Sequence, residues 1–266
     1  MVVGFLKNTI IVYVALLVFL FFYQRNLMYF PDKSRPKPME GAEIASVQTA
    51  DGLALEGWYF PPQRKDAPVI VYFHGNGGHM GHRYVKIRGY LRLGDGVLLA
   101  EYRGYGGNDG SPSEEGFYKD GRAYLDWLTR ARGIQNFVLY GESIGSGTAV
   151  QMALEYKPKG LVLETPLASL LDIAAQRYFF VPVRLLLKDR FMNTEKIGKI
   201  NVPLLILHGR KDTTTPFVQA RMLFDLAQEP KNFIEFPEGA HNNLYDFGAA
   251  DYVIEFLKRI EAEGGP

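Results

Sequence analysis

Six short apolar runs, each separated from the next by a turn or a helical stretch, set the strongest limit on how this chain can fold. They are Val69 to Phe73, Gly96 to Ala100, Phe137 to Tyr140, Leu161 to Leu163, Leu204 to Leu207 and Phe233 to Phe236. Runs this short, rich in Val, Ile, Leu and Phe and nearly unbroken by polar residues, read as strands buried on both faces. Helical patterns occupy Arg83 to Leu93, Glu114 to Arg130, Gly145 to Tyr156, Phe217 to Ala227 and Tyr245 to Glu261. The second is the clearest: Phe117, Gly121, Tyr124, Leu125 and Leu128 share one face, and Ser113 stands as N-cap ahead of Glu114 and Glu115. Ile44 to Thr49 and Leu53 to Phe60 flank Ala50-Asp51-Gly52, the turn chemistry of an antiparallel hairpin. A hairpin followed by alternating strands and helices predicts a mostly parallel, doubly wound α/β sheet with helices on both faces. Ligands then belong at the carboxyl ends of the strands.

One of those ends carries Gly141-Glu142-Ser143-Ile144-Gly145, entered from Phe137-Val138-Leu139-Tyr140 and followed by the small-residue pattern Ser146-Gly147-Thr148-Ala149. This reads as a nucleophile elbow, a serine at a sharp strand-to-helix turn, with Gly141 and Gly145 letting strand and helix approach without a clashing Cβ. A serine hydroxyl needs a base to take its proton, and the base needs an orienting carboxylate. Asp212 follows one late strand in Leu207-His208-Gly209-Arg210-Lys211-Asp212, and His241 follows the last in Gly239-Ala240-His241. The order Ser, Asp, His is that of an α/β-hydrolase. Glu164, just after another strand, is the rival acid, whereas Glu142 occupies the variable motif position and is expected to brace or tune the pocket. His208 is expected to hold the loop that presents Asp212.

Acyl transfer also needs donors aimed at the developing oxyanion. Ile144, after the nucleophile, offers one N–H; the loop Phe73-His74-Gly75-Asn76-Gly77-Gly78 offers the second, assigned to Asn76, with His74 and Gly75 as structural members of the motif. A metal reading of His74, His79 and His82 lacks a convergent carboxylate at any useful spacing, so no metal and no cofactor are expected. A phosphate-cradling reading of the glycines lacks the lysine and hydroxyl of a nucleotide loop.

Lys and Arg number 30 against 29 Asp and Glu, without long runs of either sign, which argues against a dedicated nucleic-acid binder. With no cysteine, disulfides, thiolate metal sites and cysteine nucleophiles are excluded. The opening residues differ in kind. Thr9 to Tyr23 carries no charge, and counting back to Val2 the apolar run is interrupted only by Lys7 and Asn8. That is about the 20 residues a membrane span requires. Gln24-Arg25-Asn26-Leu27 follows in place of a small-residue cleavage site, which favours an uncleaved anchor over a signal peptide. Tyr23, Tyr29 and Phe30 suit the interface belt, and Arg25, Lys33, Arg35 and Lys37 after the span tilt the catalytic domain toward the cytoplasm. The expected division is an anchor over residues 1–30, a linker over 31–41 and an α/β-hydrolase domain over 42–264 with a short lid at about 167–200.

Taken together, Phe73-His74-Gly75-Asn76-Gly77, Glu101-Tyr102-Arg103-Gly104-Tyr105-Gly106, Gly141 to Gly145, His208 to Asp212 ahead of Pro216, and His241-Asn242 resemble the membrane-anchored α/β-hydrolases of the Bem46-like family. The resemblance spans nearly the whole chain and implies Ser143, Asp212 and His241 as the triad. The wider family is similar to protein depalmitoylases and to lysophospholipid or monoacylglycerol lipases, which cleave acyl esters or thioesters. The cysteine-rich, lipid-modified start of the depalmitoylases is replaced here by the apolar span. The expected function is therefore a membrane-bound serine hydrolase acting on lipid-like or acylated substrates; amide or peptide cleavage, and a non-catalytic membrane scaffold, are the alternatives. Tyr178 to Phe191, apolar with basic punctuation, lies where it can line an acyl pocket, touch a membrane surface or simply cap the core.

Overall fold

The computed structural model describes residues 2–263; Met1, the start of the expected anchor, and Gly264, the expected end of the domain, lie outside the described residues. The chain opens with helix α1 (Val2–Met28), none of whose residues is buried. The uncharged stretch forms its middle, and the helix runs on through Gln24, Arg25 and Asn26 to a length of about 40 Å. It is long and apolar enough to cross a bilayer.

After it come β1 (Phe30–Pro31), β2 (Glu43–Gln48), β3 (Ala54–Phe60), β4 (Val69–Phe73), β5 (Gly77–Gly78), α2 (Tyr84–Arg92), β6 (Gly96–Ala100), α3 (Glu114–Asp126) and β7 (Phe137–Glu142). The second half comprises α4 (Gly145–Tyr156), β8 (Gly160–Glu164), α5 (Leu170–Arg177), α6 (Val183–Leu186), β9 (Leu204–Gly209), α7 (Phe217–Leu226), β10 (Lys231–Phe236) and α8 (Ala249–Glu263). Eight strands form one sheet in the order β10-β9-β8-β7-β4-β6-β3-β2. The hairpin β2–β3 pairs antiparallel and joins β6 antiparallel; every other neighbour pair is parallel. This is the α/β-hydrolase fold.

Strand residues alternate between two cores because successive side chains point to opposite faces. Val71, Phe73, Leu139 and Leu163 pack with Phe117, Tyr124 and Leu125 of α3 on one face. Ile70, Tyr72, Val138 and Val162 pack with Ile87 of α2 and Val253 and Phe256 of α8 on the other. With both faces covered, polar residues are nearly absent from the central strands, which is why these runs are legible in the sequence. Ser113 caps α3 as expected, accepting from Gly116 N–H at 3.0 Å.

Three local outcomes differ from the sequence pattern. Helix α3 ends at Asp126, and a single π-type turn, Trp127–Ala131, takes the rest of the predicted span. The last helix starts at Ala249 because Gly248, at φ 85°, breaks it from the 3-10 turn Leu244–Phe247. A two-residue parallel pair, β1 with β5, was not foreseen; it joins Phe30 and Pro31 at the exit of α1 to Gly77 and Gly78. The insertion between β8 and β9 carries α5 and α6 and packs on the lower part of α1. There Gln24 Nε2 donates to Leu186 O at 3.1 Å and Gln24 Oε1 accepts from Lys188 N at 2.8 Å. Arg25 grips the buried Asp189 carboxylate with two hydrogen bonds of 2.8 and 2.9 Å.

Candidate active site

Strand β7 ends in a turn that gives Ser143 a φ of 52°, a left-handed conformation costly for a residue with a side chain. The surrounding backbone holds it there: Ser143 N donates to Glu164 O at 2.9 Å, and Ser143 O accepts from Ser146 N at 3.0 Å and from Ser146 Oγ at 2.5 Å. The flanking glycines are needed for space. A Cβ on Gly141 would lie 2.6 Å from Ser146 Cα, and one on Gly145 would drive into the Phe73 and His74 carbonyls.

The loops after β9 and β10 bring two more of the singled-out residues to this serine. His241 Nε2 lies 2.9 Å from Ser143 Oγ, and His241 Nδ1 lies 2.7 Å from Asp212 Oδ2. Asp212 is held in turn by Thr214 N at 2.8 Å, Thr215 N at 2.9 Å and Thr215 Oγ1 at 2.8 Å. Burial pushes the Asp212 carboxyl up, but hydrogen bonding and charge from His241, with the Thr215 donors, outweigh it, so the carboxyl sits below its ordinary value. Such a carboxylate keeps a proton on His241 Nδ1 and leaves Nε2 as the acceptor facing Ser143. The sequence reading missed Thr215, although an aspartate two and three residues ahead of receptive N–H groups is a known turn pattern.

His208 Nδ1 bonds Gly209 O at 2.9 Å, and its Nε2 lies 3.6 Å from Asp212 Oδ2. Burial pushes the His208 ring down in pKa, so it stands neutral beneath the acid loop. Glu164 is not beside His241. Its carboxylate takes Lys86 Nζ at 2.8 Å and Tyr140 OH at 2.8 Å. Glu142, next to the serine, accepts from Tyr72 OH at 2.8 Å and Arg83 Nε at 2.9 Å, with Lys86 Nζ at 3.3 Å. Burial raises the Glu142 carboxyl, yet the Lys86 and Arg83 charges prevail and hold it ionised. These two carboxylates and two cations form a bracing layer beside and beneath the elbow.

On the other side of Ser143, the Asn76 side chain is committed to the exit of α1. Asn76 Nδ2 donates to Met28 O at 2.6 Å, while Oδ1 accepts from Phe30 N at 3.2 Å and Tyr105 OH at 3.0 Å. None of these contacts uses the Asn76 backbone N–H. Among the described residues, neither it nor the Ile144 N–H is taken by a protein acceptor. His74 is buried with both ring nitrogens on oxygen, Gly75 O at 2.7 Å and Glu101 Oε1 at 2.7 Å, which fixes the loop from below. Gly75 passes close to the elbow, where a Cβ would sit 3.5 Å from Ser143 Cβ.

The three histidines grouped by the rejected metal reading separate. His74 joins Glu101, while His79 and His82 stack at 4.0 Å. The missing carboxylate does arrive, from Asp32 in the linker; it brings one ligand atom within 4.8 Å of each of those two rings. Their Nδ1 atoms already accept backbone N–H groups, from Gly81 and His79 respectively, so both rings are in use as turn caps. A cleft of about 720 Å³ opens over Ser143 and His241, walled by Met28, Phe30, Leu170 and Ile173 on its apolar sides and by Arg83 and Lys86 on its polar one.

A family described as the alpha/beta hydrolase fold matches residues 68–196. An uncharacterised protein of Mycobacterium tuberculosis is 35% identical, over 86% of this chain and 84% of its own length. A lysophosphatidylserine lipase of Danio rerio is 31% identical, over 82% of this chain and 67% of its own. Among solved structures, an esterase of Pyrococcus furiosus superposes with a TM-score of 0.70 at 20% identity, covering 86% of this chain and 98% of that one.

Proposed function

Because the chain belongs to the α/β-hydrolase family, we propose that it is a membrane-anchored serine hydrolase of the Bem46-like kind, cleaving acyl esters or thioesters of lipid-like molecules. The observation that carries this reading is the continuous relay from Asp212 through His241 to Ser143, at 2.7 and 2.9 Å. Ser143 Oγ attacks the acyl carbonyl as His241 Nε2 takes its proton, and Asp212 stabilises the imidazolium that results. The carbonyl oxygen, now negative, rests on the Asn76 and Ile144 N–H groups. Collapse expels the alcohol or thiol with the proton from His241. Water, activated by the same histidine, then releases the acid from the acyl-enzyme and restores Ser143.

A lipid-like substrate is supported by the apolar walls of the cleft and by the lipase among the relatives. Membrane attachment is supported by the length and apolarity of α1, and a cytoplasmic position for the domain is supported by the basic residues that follow the helix. Esters, thioesters and amides of matched acyl length, assayed side by side on the full-length protein, test the reading. Turnover of ester or thioester that disappears in Ser143→Ala is the expected result. Preferential amide cleavage, or turnover that survives the substitution, would overturn it.

A further inference from the structure

The insertion between β8 and β9 does more than rest on the base of α1. Its contacts climb the helix: Leu186 and Lys188 meet Gln24, Lys188 Nζ lies 4.2 Å from the Phe21 ring centre, and Phe180 O accepts from Tyr13 OH at 2.7 Å. From Gln24 to Tyr13 a helix rises about 16 Å. A hydrocarbon leaflet is about 15 Å deep. If α1 spans, the tip of the insertion therefore lies alongside it within the same leaflet.

The tip is built for that medium. Phe179 is 86% exposed and Leu185 82%, with Tyr178 and Phe180 about half exposed beside them. Most of its backbone donors are satisfied internally, by Tyr178 N to Ala174 O, Val181 N to Tyr178 O, Leu185 N to Pro182 O and Leu187 N to Val183 O, and Pro182 has no N–H to satisfy. That removes much of the cost of placing a non-helical segment in hydrocarbon. Arg177, Lys188 and Arg190 flank the apolar tip, and Arg184 within it turns back to Asp172 on α5 at 3.0 Å. Long basic side chains can reach from such positions to headgroup phosphates.

We propose that the Tyr178–Leu187 tip inserts into the leaflet that holds α1, so that substrate reaches Ser143 from the bilayer without first entering water. The inference rests on the membrane-anchored reading above. The two apolar walls of the cleft continue into the two membrane-rooted elements: Met28 and Phe30 follow from α1, while Leu170 and Ile173 lie on α5, which runs directly into the tip.

Because the chain contains no cysteine, a single introduced thiol is the sole labelling site. Full-length Phe179→Cys and Leu185→Cys, with Val12→Cys on α1 and Val218→Cys at an exposed position of α7, are labelled with an environment-sensitive fluorophore. Each is then reconstituted in vesicles of phosphatidylcholine and phosphatidylglycerol. Emission at 179 and 185 should shift to the blue and be quenched by doxyl lipids as at 12, whereas 218 should be quenched by aqueous iodide. If 179 and 185 behave like 218 while 12 is lipid-buried, the anchor stands and the insertion is wrong. If they escape both quenchers, another protein copy covers the tip and the insertion is equally wrong. If 12 itself is wet, the anchored reading fails and the inference falls with it.

Discussion

Ser143 stands between two walls held by different means. The wall supplied by the loops after β9 and β10 is assembled from neighbours in sequence: Asp212 is fixed by Thr214 and Thr215, and both loops follow adjacent strands. The wall supplied by the loop after β4 is fixed from far away. Asn76 is gripped by Met28 and Phe30, β5 pairs with β1, and Asp32 N donates to Gly78 O at 3.2 Å. The difference teaches that the Asp212–His241–Ser143 hydrogen-bond chain is built within the domain, whereas the Asn76 loop, proposed to carry one oxyanion donor, is tied to the exit of the apolar helix. On the proposed reading α1 shapes the site in addition to anchoring the chain.

The comparison breaks first if the relay is not where the chemistry is. Ser143→Ala and His241→Ala should each lower kcat by about 10⁴-fold or more, and Asp212→Asn by about 10⁴-fold, measured on the best ester substrate. The opposite wall should respond less, and differently. Asn76→Ala keeps the backbone donor but frees it from the helix exit; kcat should fall about 10- to 100-fold with KM much less affected, short of the loss of a whole donor. An unchanged kcat would mean that the loop holds its shape without α1. Arg25→Ala strips Asp189 of its bidentate partner and leaves the carboxylate with Glu114 N at 3.2 Å. Because Arg25 is nearly half exposed, the loss of stability should be modest, about 1–2 kcal/mol by denaturant unfolding.

The smallest effect is in acid. Since the folded protein holds the Asp212 carboxyl below its ordinary value, the stability it contributes is fully present above about pH 3.9 and drains away as pH falls through the lower folded value. The gap between wild-type and Asp212→Asn melting midpoints should therefore narrow below about pH 4. A gap that widens there would reverse the sign of the linkage.

What could be read from the sequence follows the same division. Strands buried on both faces announce themselves as apolar runs, and the elbow, Asp212 and His241 each sit at the end of one. The β1–β5 pair could not be read, because it is only two residues long and three of its four residues, Pro31, Gly77 and Gly78, are of types depleted in strands; the pairing follows from where α1 ends. Asp32 reaches His79 and His82 by the same route, across a separation in sequence that no spacing rule covers. Thr215 was within reach of turn chemistry. The Glu101 contact to His74 was not, since both lie in recognisable motifs whose mutual distance is set only by the neighbouring strands β4 and β6.

The central claim, that Ser143 is an activated nucleophile, is tested most directly by reacting the folded, detergent-solubilised full-length protein with a fluorophosphonate probe and locating the adduct by mass spectrometry. The account predicts a single adduct on Ser143, much slower to form in His241→Ala and absent in Ser143→Ala. No adduct on folded protein, or an adduct on another residue that Ser143→Ala leaves intact, would contradict it.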